Sequence, residues 1–401
     1  MKRRRVKITG IGPVTPAGIG REAFWEGILA GRSYVRPFTN LGDEYGPLVA
    51  ASVEKFSIAR YFEREQLLKG AGRHAQFATV GAKLALEDAG LAGADLSQDC
   101  VVVTGSSLMD FGGISNSTQA VFTRGPQAAL PRTIFTTTNA NVTESIAKAL
   151  EMQGRTMTLQ NSCCAGLDAV GYAAEMIARS EAEIAVCGGT EAPLHRCPLL
   201  ELRAAGLTPP TTDRADQLAR PFDLWRTTGV VSEGACMFIL EPESSPRPGY
   251  AFVGGYSYCN DNPGDLCGGL IDAARLAFAA AGIKPQEVEA LHAWGPGHRM
   301  IDAGEAMAMR RLLGDRLDEI PALSIKGAVG SALGAAPAIQ LGVTALGLRN
   351  QTIPPTVNWS RPDPSCPLNL SNVTRFVEHE SVLLNSHGVG NVNSCMVLHR
   401  C

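Results

Sequence analysis

Long apolar runs are missing from this sequence, and no window approaches the roughly 18 unbroken apolar residues that a membrane helix needs. Charge of one sign is missing too. With 36 Lys and Arg against 39 Asp and Glu the formal net charge is −3, which argues against a nucleic-acid surface. The only basic run, Lys2-Arg3-Arg4-Arg5, reads as solvated charge ahead of a strand. It does not open a signal peptide, because the apolar stretch of about 7–15 residues that should follow is interrupted at once by Gly10, Gly12 and Pro13. The expected location is the cytoplasm. Metal patterns are absent as well: the 11 cysteines are scattered and odd in number, with no C-x-x-C pair and no Cys/His cluster of zinc spacing. Neither a disulfide framework nor a metal is expected, and in a reducing compartment most of these cysteines are small buried hydrophobes. A dinucleotide fingerprint is also lacking, since Pro13 and Val14 stand where the motif needs spacers and a third glycine before a helix. No cofactor is expected.

What remains is an ordinary globular chain of 401 residues, 45% hydrophobic and 19% charged, long enough to bury a large core. It is organised around Thr158 to Ala173, TLQNSCCAGLDAVGYA. An extended run from Arg155 to Leu159 enters a small-residue turn, and helical periodicity follows with Leu167, Val170, Ala174 and Ile177 on one face. Cys163 sits at that corner, where unpaired backbone N–H groups and the positive end of the helix dipole are expected to favour thiolate. Gly166 is read as leaving room for something to approach the backbone, which makes the corner a nucleophile site rather than packing. Cys164 beside it is read as packing.

Along the chain, strands are expected at Val6 to Gly12, Cys100 to Thr104, Thr156 to Leu159, Ile184 to Gly188 and at the end of Arg220 to Leu240. Helices are expected near Arg21 to Ala30, His74 to Ala89, Ser145 to Met152 and from Cys163 to about Arg179, with Gly105 to Gly113 as a loop. The composition shift at Glu241 to Pro248 divides the chain into residues 1–245 and 246–401. Beyond it the order repeats: strand Ala251 to Gly255, helix Leu270 to Ala281, strand Val288 to Ala293, helix Asp302 to Leu313, strand Ala322 to Ile325, then a small-residue helix from about Val329 to Leu348. Strands Glu380 to Leu384 and Cys395 to His399 end it, around a loop from Asn385 to Asn393. In both halves a strand feeds a Gly/Ala-rich helix, and a strand and a glycine cluster follow. The pattern suggests duplicated α/β halves around a buried pair of central helices.

At this point the motifs carry a family resemblance. VKITGIGPVTPAG, LALEDAGL at 84–91, CCAGLDAVGYA around Cys163, CGGTEAPL at 187–194, Asp302 with Glu305, SIKGAVGSALGAA at 324–336 and NSHGVGNVN at 385–393 fall in the order found in β-ketoacyl-acyl-carrier-protein synthases. The chain resembles that family over essentially its whole length, and CCAGLDAVGYA is most similar to the ketosynthase and chain-length-factor subunits of type II polyketide assembly. The resemblance implies a thiolase-like α/β fold, the duplicated five-layered αβαβα sandwich, usually dimeric. It also implies acyl thioester substrates carried on acyl carrier protein, and a decarboxylative condensation. On matching positions Cys163 is the nucleophile, the Val389 N–H is the second oxyanion donor, and Lys326 and Glu305 are the polar pair behind the site.

Two positions depart from the family pattern. Trp294 and Ser331 stand where the family has its two histidines. Losing imidazole donors should cost several kcal/mol of transition-state stabilisation, one oxyanion donor alone being worth about 2.7–4 kcal/mol. Of the other histidines, His387 replaces the aromatic residue that opens the last glycine loop. It is either a base or thiolate partner for Cys163 or a histidine satisfied by neighbouring backbone, the commoner arrangement. His292 and His298 flank Trp294 and read as structural. Three functions stay open: a chain-length-factor-type partner dimerised with an active ketosynthase or with itself; an acyltransferase, atypical condensing enzyme or thioester hydrolase using Cys163; and an acyl-binding or regulatory protein that keeps only the fold.

Overall fold

A computed structural model describes residues 3–63, 68, 70–96 and 99–401 of the chain. Ten strands form its main path: β1 (Val6–Thr15), β2 (Cys100–Gly105), β3 (Arg155–Leu159), β4 (Ile184–Glu191), β5 (Gly234–Pro242), β6 (Ala251–Asn260), β7 (Ala290–His292), β8 (Ala322–Leu323), β9 (Ser381–Gly388) and β10 (Val392–Arg400). Hydrogen-bonded order runs β3-β2-β4-β5-β1-β6-β10-β9-β7-β8. The first five strands thus lie in the order third, second, fourth, fifth, first, and so do the last five. Pairing directions repeat as well, with the second strand parallel to the third and fourth and the remaining ladders antiparallel. The seam between the halves is antiparallel and short, from Val6 opposite Val253 to Ile8 opposite Ala251.

Five helices build the layers: α1 (Arg73–Asp88), α2 (Ala165–Ala178), α3 (Gly269–Ala281), α4 (Arg299–Leu313) and α5 (Ala336–Asn350). α1 packs on β1 and β5, α3 on β6 and β10, and α4 against α3. α2 lies under β2 and β4, α5 under β9 and β10, and the two touch each other. Helix, sheet, helix pair, sheet, helix is the expected sandwich. The strands of such a layer are covered on both faces, so β1 and β5 are buried along their whole lengths and show no polar alternation.

The differences from sequence expectation are local. β1 runs on to Thr15, because Gly10 and Gly12 serve a close helix approach: a methyl group on Gly12 would lie 1.8 Å from Gly81 O of α1. The loop after β2 is short, since Asp110 Oδ1 accepts from Gly113 N at 3.0 Å and starts a helix over Phe111–Arg124. The helix expected from Val329 is broken by Gly330, whose φ of 68° turns the chain before α5. β9 and β10 extend through the expected Asn385 to Asn393 loop and leave only residues 389–391 as the turn. Lys2 lies outside the described residues, but the rest of the basic run is engaged rather than solvated. Arg4 reaches Ile177 O, Ala182 O and Glu183, while Arg5 pairs with Glu243. No helix among the described residues is long and apolar enough to cross a membrane, and no cluster of three or more His, Cys, Asp or Glu among them could hold a metal ion.

Candidate active site

β3 is partly exposed, and at its end the chain crosses residues 160–164 into α2. Ser162 has φ of 49°, a left-handed value that turns the backbone sharply and sets Cys163 at the helix entrance. Cys163 is buried, Ser162 Oγ lies 3.9 Å from its sulfur, and the Val389 N–H, in the wall of the same cavity, favours the thiolate. Burial pushes the Cys163 thiol up despite these donors, the Glu191 charge adds in the same direction, and Lys326 opposes weakly. The expectation of a favoured thiolate is therefore reversed, because desolvation is the largest influence on the buried thiol. Gly166 is also not an open approach: a methyl there would meet Gly334 O at 2.5 Å and Ala338 Cβ at 3.2 Å. Packing of α2 against the second half occupies that space.

Cys163 opens on a cavity of about 100 Å³, lined by Trp294, Ser331, His387 and Val389 together with apolar side chains such as Ile301 and Leu333. Trp294 is buried against Cys163 and Ala336, and its ring carries Lys326 Nζ 3.5 Å from the ring centre. Lys326 Nζ donates to Trp294 O at 2.5 Å and to Gln340 Oε1 at 2.8 Å. Glu305 accepts from Trp294 N at 2.8 Å, Gly295 N at 2.9 Å and Asn385 Nδ2 at 3.0 Å. Lys326 and Glu305 make no direct hydrogen bond or ion pair. They meet through the backbone of Trp294, which they clamp from both sides. His387 is buried with Nδ1 2.7 Å from Asn393 Oδ1, so a side chain and not neighbouring backbone satisfies it.

Comparison with known proteins gives the family. The Beta-ketoacyl synthase, N-terminal domain matches residues 3–245, and the Beta-ketoacyl synthase, C-terminal domain matches residues 255–360. The chain belongs to the β-ketoacyl synthase family. A putative polyketide beta-ketoacyl synthase 1 of Streptomyces virginiae is 32% identical over 99% of this chain and 98% of its own length. A 3-oxoacyl-[acyl-carrier-protein] synthase 2 of Coxiella burnetii is 30% identical over 100% and 99%. Among solved structures, the ishigamide ketosynthase/chain length factor superposes with a TM-score of 0.92 at 30% identity, covering 100% of both chains. A type II polyketide acyl-carrier protein in complex with its ketosynthase bound to the hexaketide gives 0.90 at 27%, again over 100% of both.

In this member of the family the other histidines separate by place. His292 is fully buried with Nδ1 2.8 Å from Thr344 Oγ1, and burial drives its pKa well down. It does not line the cavity. His298 is half-buried at the cavity rim and caps α4, accepting from Ile301 N at 3.5 Å. Cys164 is packing, as expected: it is buried between Ser386 Oγ and Val392 O. Sequence reasoning passed over Glu191, Gln340 and Asn393. Glu191 is buried and collects Ser107 N at 2.7 Å, Leu108 N and Gly334 N at 3.2 Å and the hydroxyls of Ser106 and Ser107. Its signal was the carboxylate ending the apolar CGGTE strand. Gln340 and Asn393 left none, because an amide in a small-residue stretch reads as surface until its partners are known.

Proposed function

We propose that this chain is a ketosynthase-fold subunit that handles acyl chains borne on acyl carrier protein, in the cytoplasm, as the chain-length-factor-type partner of an active ketosynthase. The observation that carries the reading is Trp294. Its indole fills the wall beside Cys163 and covers Lys326, and Ser331 stands opposite, so the cavity offers no imidazole at either family position to stabilise an enolate. The names of the polyketide relatives and the ishigamide pair support the same setting. Halves split near residue 245, as proposed from composition, would each supply one wall of the cavity.

The partner surface we place along β3, which forms one edge of the sheet and presents unpaired backbone groups. Met157 on that strand is exposed, and Phe122, Ile134 and Phe135 are exposed on the helical segments that follow β2. Co-expression with a histidine-containing ketosynthase of the same assembly line tests the proposal: a stable 1:1 complex whose product length changes with cavity substitutions is expected. Failure of the chains to associate, with this chain condensing malonyl units alone, would refute it.

A second reading is favoured by Val389 and His387, which line the same cavity as Cys163. Under it Cys163 accepts an acyl group. Intact-mass spectrometry after incubation with acyl-loaded carrier protein should show an adduct that Cys163→Ala lacks.

A further inference from the structure

His387 and Asn393 face each other across the β9–β10 hairpin. Three acceptors surround the Asn393 amide nitrogen: Asp261 Oδ1 at 2.7 Å, and Cys259 O and Asn391 O at 3.4 Å. That nitrogen therefore donates and Asn393 Oδ1 accepts, which puts the ring hydrogen of His387 on Nδ1. Asp261 is held in turn by Cys267 N at 3.0 Å and Gly269 N at 2.8 Å. The seat is tight, since a methyl on Gly269 would lie 2.6 Å from Asn393 Nδ2. The lone pair of His387 is left on Nε2, for which the structure shows no partner among the described residues, and the ring lines the cavity that holds Cys163.

We infer that His387, oriented by Asn393 and Asp261, is a general base that hydrolyses acyl groups carried on Cys163, which gives the subunit a thioester-clearing activity. The inference rests on the second reading above, in which Cys163 accepts the acyl group. In the first half-reaction Sγ attacks the carrier thioester as its proton passes to Nε2, and the departing carrier sulfur takes that proton. Water then attacks the Cys163 acyl carbon while Nε2 removes a water proton. The C–S bond breaks, its electron pair stays on Sγ, Sγ recovers the proton, and a carboxylic acid leaves and ionises in solvent. The Cys163 and Val389 N–H groups hold the oxyanion in both steps. Because burial holds the Cys163 thiol up, the first step needs a neighbouring base, and the second needs one because water is a weak nucleophile. No lysine or arginine lines the cavity among its described lining residues, and its walls are apolar, which fits uncharged aliphatic acyl groups rather than malonyl. Asn393 and Asp261 are positioning residues.

Acetyl- and hexanoyl-loaded carrier protein are the probes, with free acid and the intact mass of the subunit followed together in the full chain. His387→Gln, which keeps a polar side chain at the site, and His387→Phe should both lower acid release at least about tenfold and let the Cys163 adduct accumulate. Added imidazole should restore release in His387→Ala, a rescue that a structural role would not give. Asn393→Leu should shift the His387 ring nitrogen resonances away from the Nδ1–H tautomer and slow release by a smaller factor. An adduct that decays equally fast with and without His387 would overturn the hydrolytic role while leaving acyl acceptance standing. Neither adduct nor acid in any form of the protein would overturn acyl acceptance itself, and the inference with it.

Discussion

Lys326 is an amine enclosed by Trp294 O, Gln340 Oε1 and an indole face. Burial pushes its pKa down to about 7 from 10.5, while Glu305 and Cys163 pull the other way. The folded state thus disfavours the ammonium. Below about pH 7 that penalty is fully present, and between 7 and 10.5 the unfolded chain binds more protons, so this group adds stability as pH rises. Urea denaturation of wild type beside Lys326→Met should therefore show the wild type gaining on the variant between pH 7 and pH 9.5; parallel profiles would mean that the amine is not held as described. Trp294 gives the second residue-scale prediction. Trp294→Ala should cost about 3–5 kcal/mol, because the ring fills space between Cys163, Ala336 and Lys326. Trp294→His with Ser331→His should raise malonyl decarboxylation, read as released carbon dioxide, if the remaining cavity is competent. No gain would show that the site has diverged beyond those two positions.

Elements were more legible than the contacts between them. The apolar runs of β2 and β4 and the helical character of α1, α3 and α4 were plain in the sequence, because burial of strands and of one helix face against the sheet or a neighbouring helix sets a regular local pattern. Where two elements approach closely the sequence said less: Gly166 read as an opening, and Gly10 and Gly12 only as breaks in an apolar run, although each is a glycine because another backbone lies where its Cβ would be. Gly166→Ala should accordingly cost about 1–3 kcal/mol by thermal or urea unfolding, since α2 cannot recede from Gly334 and Ala338 without moving off β4. Cys163, Lys326, Glu305 and Val389 were found by motif order, and the structure brings them together. The amides and carboxylates that support them were not found, because partners on other elements, such as Ser107 and Gly334 of Glu191 at 84 and 143 positions away, leave no local pattern. Glu191 is the plainest case. It fastens the loop after β2 to Gly334 of the other half. Glu191→Ala would leave the part-buried N–H groups of Ser107 and Leu108 without their acceptor and Gly334 N with Ser107 Oγ alone, and should destabilise by roughly 1–3 kcal/mol.

At the scale of the molecule, duplication was legible as a repeat of element order, and the sheet shows why: both halves wind their strands in one order and meet at a seam only three residues long on each side. So short a seam is reinforced by the α2–α5 contact and by Glu191, and the halves share one core from Val6 through Val101 to Leu398. One edge of this sheet stays open at β3, and the helical segments between β2 and β3 carry Phe122, 86% exposed, and Phe135, 70% exposed. These two large aromatic side chains and the unpaired strand are features that an isolated subunit would expose to water. Burying that edge against a second ketosynthase-fold subunit would cover it. Phe122→Glu with Phe135→Glu is therefore expected to leave the fold intact, as judged by an unchanged melting profile. The same variant should convert the assembly to a 42.4 kDa species in sedimentation. A variant that sediments like wild type would move the partner surface away from β3, and the route by which the cavity of one subunit meets its partner would have to be sought at another face.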